Sequence, residues 1–277
     1  MIIWIASYPK SGNTFVRSIL SAYYFTKNGE FNFNLLENIK QFPDRAFFDE
    51  KIESLEHASK SWLLAQKKII DNKKIKFLKT HNQLGSYKGN FFTVPKYTLG
   101  SIYIVRDPRN IFTSLKNHFS QDDSETLNML TDEDRGIKSD IDDDYSTYSF
   151  IGSWKNHYKS WINTNQFRTM IIKYEDLQKN IYETVRDMIV FTNTLMNKRE
   201  KVNKEKLMKC IETTKFINLK NEEIQKGFSE AIYSEKKNKK VPFFNMGFNN
   251  RYHKLLSEDL VDKLNNEFTD DLKFFGY

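Results

Sequence analysis

The sequence predicts an α/β fold, a central and mainly parallel β-sheet flanked by helices. Three observations predict it. Short apolar runs rich in β-branched residues are each followed by a turn and a stretch of helical periodicity, this unit recurs along the chain, and charged turn residues stand at the C-terminal ends of the runs, where parallel sheets present their ligands. Residues 2–7 form the first such run. Pro9, Lys10, Ser11 and Gly12 make the turn, and residues 14–25 read as a helix with Phe15, Ile19, Ala22 and Tyr23 on its buried face and Arg17 and Ser18 elsewhere. Residues 53–70 form an amphipathic helix, and 75–80 a second strand ending in Lys79-Thr80-His81. A third strand, 101–106, runs into Asp107-Pro108-Arg109, where proline suits the first turn of a helix over 110–119.

Beyond this point the periodicity weakens. Residues 121–144 are acidic without sustained period and are expected to form a long loop or lid. Helical spacing returns over 145–165, with Phe150, Trp154, Tyr158 and Trp161 on one stripe. Residues 169–174 make a fourth strand, followed by a helix to about 195. Further helices, a Lys-rich loop over 228–250 and a last helix over 258–275 complete the chain. One domain spanning 1–277 is the expectation.

Apolar residues make up 39% and aromatics 15% of the chain, enough to bury a sizeable core. The formal charge is +7 and the pI about 9.1, which suits a polyanionic partner. Its distribution argues against nucleic acid: the acidic block from Asp122 to Asp144 would repel a phosphate backbone, so no continuous basic stripe is expected. The single cysteine, Cys210, excludes an intrachain disulfide and a multi-cysteine metal site. Pro9 and Lys10 interrupt the only early apolar run. Neither a signal peptide nor a membrane span is expected, and a cytoplasmic setting follows.

The turn Tyr8-Pro9-Lys10-Ser11-Gly12-Asn13-Thr14 carries the chemistry. A glycine turn between strand and helix leaves backbone N–H groups free and aims them, with the helix dipole, at one point that suits a phosphate. Ser11, Gly12, Asn13 and Thr14 are the candidate donors, and Lys10 adds a mobile positive charge. The common nucleotide loop Gly-x-x-x-x-Gly-Lys-[Ser/Thr] has a different order, because here the lysine precedes the only glycine. This much leaves a nucleotide kinase or hydrolase open beside other phosphate chemistry. No apolar strand ends in a clear Mg²⁺ aspartate apart from Asp107, which weighs against that class.

The pattern closely resembles the 5′-phosphosulfate loop of sulfotransferases that use 3′-phosphoadenosine 5′-phosphosulfate (PAPS), typically Tyr-Pro-Lys-Ser-Gly-Thr/Asn-Thr-Trp, with Phe15 here in the last place. A second resemblance is Ile104-Val105-Arg106-Asp107-Pro108-Arg109 followed by Ser114, similar to the family's 3′-phosphate site. The resemblance implies a P-loop-kinase-like sulfotransferase fold. It implies that Arg106 and Ser114 hold the 3′-phosphate, that His81 of Lys79-Thr80-His81 is the general base, and that Lys10 and Lys79 neutralise the transferring group. Tyr174 of Tyr174-Glu175-Asp176-Leu177, and Thr214 and Phe216 of Thr214-Lys215-Phe216, resemble its adenine contacts.

The C-terminal signature departs from the family. Phe243-Phe244-Asn245-Met246-Gly247 resembles Phe-x-Arg-x-Gly, but Asn245 replaces the arginine that grips the 3′-phosphate, and Tyr252 stands where tryptophan is usual. Lys239, Lys240 and Arg251 are the candidates to compensate. The implied co-substrate is PAPS, with adenosine 3′,5′-bisphosphate (PAP) as product and no metal. The implied acceptor is a hydroxyl or amine of a small molecule or glycan, in a pocket shaped by 85–99 and 121–144. Acidity there would favour a cationic acceptor. A catalytically silent nucleotide-binding or interaction protein is the alternative that Asn245 and Tyr252 keep open. His57, His118, His157 and His253 read as surface or packing residues. No dimerisation segment is recognisable, so the oligomeric state is left open.

Overall fold

The computed structural model describes residues 1–71, 74–138, 143–234 and 238–277. Its main elements follow the strand, turn, helix rhythm of the sequence: β1 (Ile2–Ser7), α1 (Asn13–Phe25), α2 (Leu55–Ile70), β2 (Lys76–Thr80), β3 (Thr98–Val105) and α3 (Pro108–Phe119). Then come α4 (Asp123–Thr131), α5 (Trp154–Ile162), β4 (Thr169–Lys173), α6 (Ile181–Leu195), α7 (Lys204–Thr213), α8 (Phe216–Lys226), α9 (Glu258–Glu267) and α10 (Thr269–Phe275). The four strands pair in parallel in the order β2-β1-β3-β4.

Both faces of this sheet are covered, and the two-residue period of the strands sorts the side chains between them. Ile2, Trp4, Ala6, Tyr103 and Val105 enter one core with Trp62, Phe92, Trp154 and Trp161. Ile3, Ile5, Ile102, Ile104 and Ile172 enter the other, against Ile19, Val185 and Ile189. Each such fully buried isoleucine or valine contributes about 1.5–3 kcal/mol. Trp4 keeps its polar edge satisfied by donating from Nε1 to Thr98 Oγ1 at 3.0 Å.

The strand order decides where a ligand can bind. From β1 the chain crosses to β2 on one side, and from β3 it crosses to β4 on the other, so the connections that leave the C-terminal ends of the two central strands run in opposite directions. That crevice is the topological switch point at which open α/β sheets bind ligands. The Lys10 turn leaves β1 there, and Arg106 leaves β3 beside it.

Several expectations need correction. The 121–144 segment is not one long loop: Asp123–Thr131 is helix α4, opened by a capping box in which Asp122 accepts from the Glu125 N–H and Glu125 accepts from the Asp122 N–H. Thr126, Met129 and Leu130 are buried, and the Tyr8 hydroxyl donates to the Met129 carbonyl at 2.5 Å. Its charges line the solvent side of a packed helix. Of the acidic cluster that follows, Asp140 and Asp142 lie outside the described residues, while Asp144 accepts from the N–H groups of Ser146 and Ile52 and is thus occupied structurally. Removing the cap with Asp122→Ala should cost about 1 kcal/mol in urea unfolding. The cavity described below should be unaffected, because α4 contributes no side chain to it.

The helix expected over 145–165 is confined to Trp154–Ile162, since Gly152 takes a φ of 59° and Ser153 then caps α5 by accepting from the Asn156 N–H. Ser149–Phe150 instead pairs with Gly136–Ile137 as a short hairpin. The last helix is two, α9 and α10, divided at the buried Phe268. In α1 two residues depart from the expected face: Arg17 and Ser18 are buried at 5% and 0% exposure, because the helix is covered by residues 33–38 as well as by the sheet. Within 85–99, Ser86–Tyr87 pairs with Asn90–Phe91 as a small hairpin beside α2, and Thr98 and Leu99 already belong to β3.

Candidate functional site

A cavity of about 970 Å³ opens over the C-terminal ends of β1 and β3. The turn from Lys10 to Gly12 forms its floor. Lys10 takes a φ of 65° and Gly12 a φ of 100°, the left-handed region in which the chain reverses before entering α1. At Gly12 a Cβ would lie 2.3 Å from the Tyr174 ring, so only glycine lets Tyr174 close against the turn. Asn13 anchors the turn from below, donating through Nδ2 to the Ile5 carbonyl at 3.0 Å and to Ser7 Oγ at 3.1 Å. Gly12, Asn13, Thr14 and Phe15 border the cavity, while Ser11 lies fully buried beside them.

Arg106 joins this turn from the neighbouring strand. Its Nη1 donates to the Lys10 carbonyl at 2.8 Å, and its guanidinium stacks 4.3 Å from the centre of the Tyr174 ring. Ser114 borders the cavity one helical stretch on. Asp107 caps α3 by accepting from the Arg109 N–H at 2.9 Å and holds the Arg109 side chain in a forked ion pair. Arg109 in turn stacks on Tyr252 at 4.2 Å, so the residue in the usual tryptophan position still provides an aromatic face.

His81 lies at the end of β2 with its ring held in one tautomer. Nδ1 is 2.8 Å from the Ser7 carbonyl, which can only accept, so Nδ1 carries the proton and Nε2 is left as the basic nitrogen. Burial, reinforced by Lys79, pushes its pKa down to about 3, which keeps the ring neutral at ordinary pH. His157 supports it from behind. Its Nε2 donates to the His81 carbonyl at 3.1 Å, while its Nδ1 accepts from the Tyr103 hydroxyl at 2.9 Å. The packing role expected for His157 is thus what its position provides.

The cavity is strongly cationic. Lys10 reaches over the Phe243 ring at 4.1 Å, and burial lowers its pKa to about 7 against the pull of Glu230. Burial also lowers Lys79 from the ordinary lysine value. Glu230, on the segment after α8, meets Lys79 Nζ at 3.1 Å and Arg17 Nη1 at 2.5 Å and accepts from Thr14 Oγ1 at 2.8 Å. Burial would raise its pKa, but Lys79 and Arg17 outweigh that and hold the carboxyl far below the usual range.

Most residues singled out in the sequence converge here. Lys10, Lys79, His81, Arg106, Ser114, Tyr174, Phe216, Asn245, Met246 and Gly247 all border the one cavity. Thr214 does not: its hydroxyl donates to the Cys210 carbonyl at 2.7 Å at the end of α7. The three candidates to replace the missing arginine are not brought in either, since Lys239, Lys240 and Arg251 are exposed and none borders the cavity. Glu235, Lys236 and Lys237 of the Lys-rich segment lie outside the described residues. No residue of 85–99 borders the cavity, and of 121–144 only Gln121, Ile137 and Lys138 do so among the described residues.

Sequence reasoning missed Arg17, His118 and Glu230. Arg17 had a signal, since it follows Thr14 by three residues and shares its helix face. His118 is 8% exposed, borders the cavity, and is pushed down to about 3 by burial and by Lys10. Glu230 had none, because it comes from a loop 216 residues from Thr14. Among the described residues no cluster of three or more His, Cys, Asp or Glu could hold a metal, and no helix is long and apolar enough to cross a membrane.

Comparison with known proteins points the same way. Residues 2–276 match the sulfotransferase domain family. Luciferin sulfotransferase of Photinus pyralis is 23% identical over 281 residues, covering 94% of this chain and 69% of the relative. Among solved structures, retinol dehydratase in complex with androsterone and the inactive cofactor PAP superposes with a TM-score of 0.58 at 15% identity, over 98% of this chain and 80% of its own. Mouse sulfotransferase SULT7A1 complexed with PAP gives a TM-score of 0.58 at 17% identity, over 98% and 83%.

Proposed function

Because the chain belongs to the sulfotransferase domain family, we propose that it transfers a sulfuryl group from PAPS to a hydroxyl or amine of a small-molecule or glycan acceptor, releasing adenosine 3′,5′-bisphosphate. The observation that carries this reading is the 2.8 Å bond from Arg106 to the Lys10 carbonyl. It couples the loop suited to a 5′-phosphosulfate to the arginine suited to a 3′-phosphate, across 96 residues of chain, so that two anion sites share one cavity.

The residues present fit such a donor. Ser11 Oγ and Arg106 Nε are buried with no partner among the described residues, beside a turn whose first helical N–H groups face the cavity end of α1. Lys10 with Gly12, Asn13 and Thr14 would hold the 5′ end. Arg106 and Ser114 would hold the 3′-phosphate, and Tyr174 and Phe216 the base. Asn245, Met246 and Gly247 close the same wall without the family's arginine.

In the reaction, the acceptor oxygen forms a bond to sulfur while the sulfur–oxygen bond to the 5′-phosphate breaks and its electron pair stays on the phosphate. His81 Nε2 takes the acceptor proton. Lys10, Lys79 and the loop N–H groups stabilise the charge that builds on the leaving phosphate, in positions fixed before the reaction begins. No bond in this scheme calls for a metal. The lone, buried Cys210 fits a reducing, cytoplasmic setting.

Calorimetry tests the donor site directly. PAP should bind in the presence of EDTA, and ATP with Mg²⁺ should bind about tenfold or more weakly by comparison. Arg106→Ala should weaken PAP binding by about tenfold to a hundredfold, the worth of a charge-assisted hydrogen bond to phosphate. Metal-dependent preference for ATP would instead indicate a kinase or hydrolase, and an unchanged PAP affinity would remove Arg106 from the site. Transfer of labelled sulfate from PAPS across a panel of phenols, alcohols and amines then identifies the acceptor class.

A further inference from the structure

Glu230 presents an acid where the proposed donor would present its own negative charge. Its Oε2 accepts from Thr14 Oγ1 at 2.8 Å, and its Oε1 meets Arg17 Nη1 at 2.5 Å and Lys79 Nζ at 3.1 Å. Thr14 belongs to the first turn of α1, where helix N–H groups favour an anion, and Lys79 borders the same cavity as Lys10. One carboxylate therefore spans all three cationic or donor groups. Two oxygens of a phosphate or sulfonate have nearly the spacing of two carboxylate oxygens. The seat that holds Glu230 is shaped for such a group.

We propose that Arg17 is a donor-binding residue which, with Thr14 and Lys79, seats the 5′-phosphosulfate, and that Glu230 is an internal carboxylate displaced from this seat when the donor binds. The inference rests on the reading of the cavity as a PAPS site. Arg17 is 5% exposed, and burying a guanidinium is costly unless it is paired. Its pairing with Glu230 is incomplete: Nη1 is bonded to the carboxylate, Nη2 reaches the Leu36 carbonyl only at 3.4 Å, and Nε has no partner among the described residues. A carboxylate has two oxygens to offer, and both are taken. A phosphate or sulfonate brings a third, which suits the N–H that Glu230 leaves over.

Electrostatics requires the exchange. The carboxyl of Glu230 is ionised, since Lys79 and Arg17 hold its pKa low, and an ionised carboxylate beside a bound phosphosulfate would repel it in a low-dielectric cavity. The segment carrying Glu230 is built to let the side chain go without unfolding. Gly227 ends α8 at a φ of 73°, Phe228 anchors the chain in a small core with Leu36, Leu219 and Phe244, and the adjoining Ser229 is exposed.

Calorimetric titration with PAP tests this on the intact protein, using wild type, Glu230→Gln, Arg17→Gln, Arg17→Lys and the double variant Glu230→Gln/Arg17→Gln. Glu230→Gln should bind PAP about tenfold more tightly, because the competing charge is gone while the shape is kept. The free variant should melt at a lower temperature, its cations now uncompensated, and PAP should recover more of that loss than it adds to wild type. Arg17→Gln should weaken binding about tenfold both alone and in the Glu230→Gln background, with Arg17→Lys in between. Equal or weaker binding by Glu230→Gln overturns the exchange. Loss from Arg17→Gln that vanishes in the double variant makes Arg17 a mere counterion of Glu230 and overturns its assignment. If wild type and every variant fail to bind PAP, the donor reading itself falls, whereas wild-type binding without these differences overturns only the present inference.

Discussion

His81→Ala should lower turnover about a hundredfold or more while leaving PAP affinity unchanged within about twofold. The expectation rests on geometry. Nδ1 is committed to the Ser7 carbonyl at 2.8 Å, so the free nitrogen is Nε2, and the ring is tied in place through the His81 carbonyl by His157. A general base must be deprotonated before it acts, and burial together with Lys79 keeps His81 neutral down to about pH 3. The acid limb near pH 6.5 that an ordinary histidine would give should therefore be missing from the kcat/KM profile of wild type. Single-turnover transfer from bound PAPS checks the assignment. Unimpaired transfer by His81→Ala would remove it as the base.

Lys10→Met should also cost about a hundredfold in turnover, but with a different signature. Here both donor affinity and the chemical step should suffer, because the same ammonium meets the bound anion and the charge that develops on the leaving phosphate. The pH dependence separates the two residues. Burial lowers Lys10 to about 7 in the free protein, and a bound anion would raise it again. Below that pH Lys10 is charged in both states and adds no pH dependence of its own. Above it the free protein has lost the proton that the complex regains, so PAP affinity should fall with rising pH, by up to about tenfold per pH unit, with proton uptake on binding. Calorimetry in buffers of different ionisation enthalpy measures that uptake. It should disappear in Lys10→Met and in Lys10→Arg, and its persistence in either would assign it to another group.

The parts of the site that were legible in the sequence are those written by contiguous residues. The turn from Tyr8 to Thr14 combines a strand end, a glycine and a helix start, and each is a local property of the backbone. The same holds for Arg106 to Ser114, where Asp107 and Pro108 open α3. The acidic stretch was misread because its charges hid the capping box Asp122 and Glu125, although both residues stand at the spacing that such a box requires. Trp154, Tyr158 and Trp161 share one stripe, as their spacing predicts, and are buried, but the helix does not extend back through Gly152, whose backbone conformation lets it begin only after it.

The chain by itself determined the strand, turn, helix units, the family to which they belong, and the individual pieces proposed to bind the donor, because each depends on neighbours a few residues apart. The tertiary structure alone decided which pieces meet. It set the order β2-β1-β3-β4 that opens the crevice between β1 and β3, turned Thr214 away from the cavity, left Lys239, Lys240 and Arg251 at the surface, and laid Glu230 across Thr14, Arg17 and Lys79. The strand order and the seat of Glu230 follow from pairing and charge between segments distant in the sequence, and no local pattern encodes them.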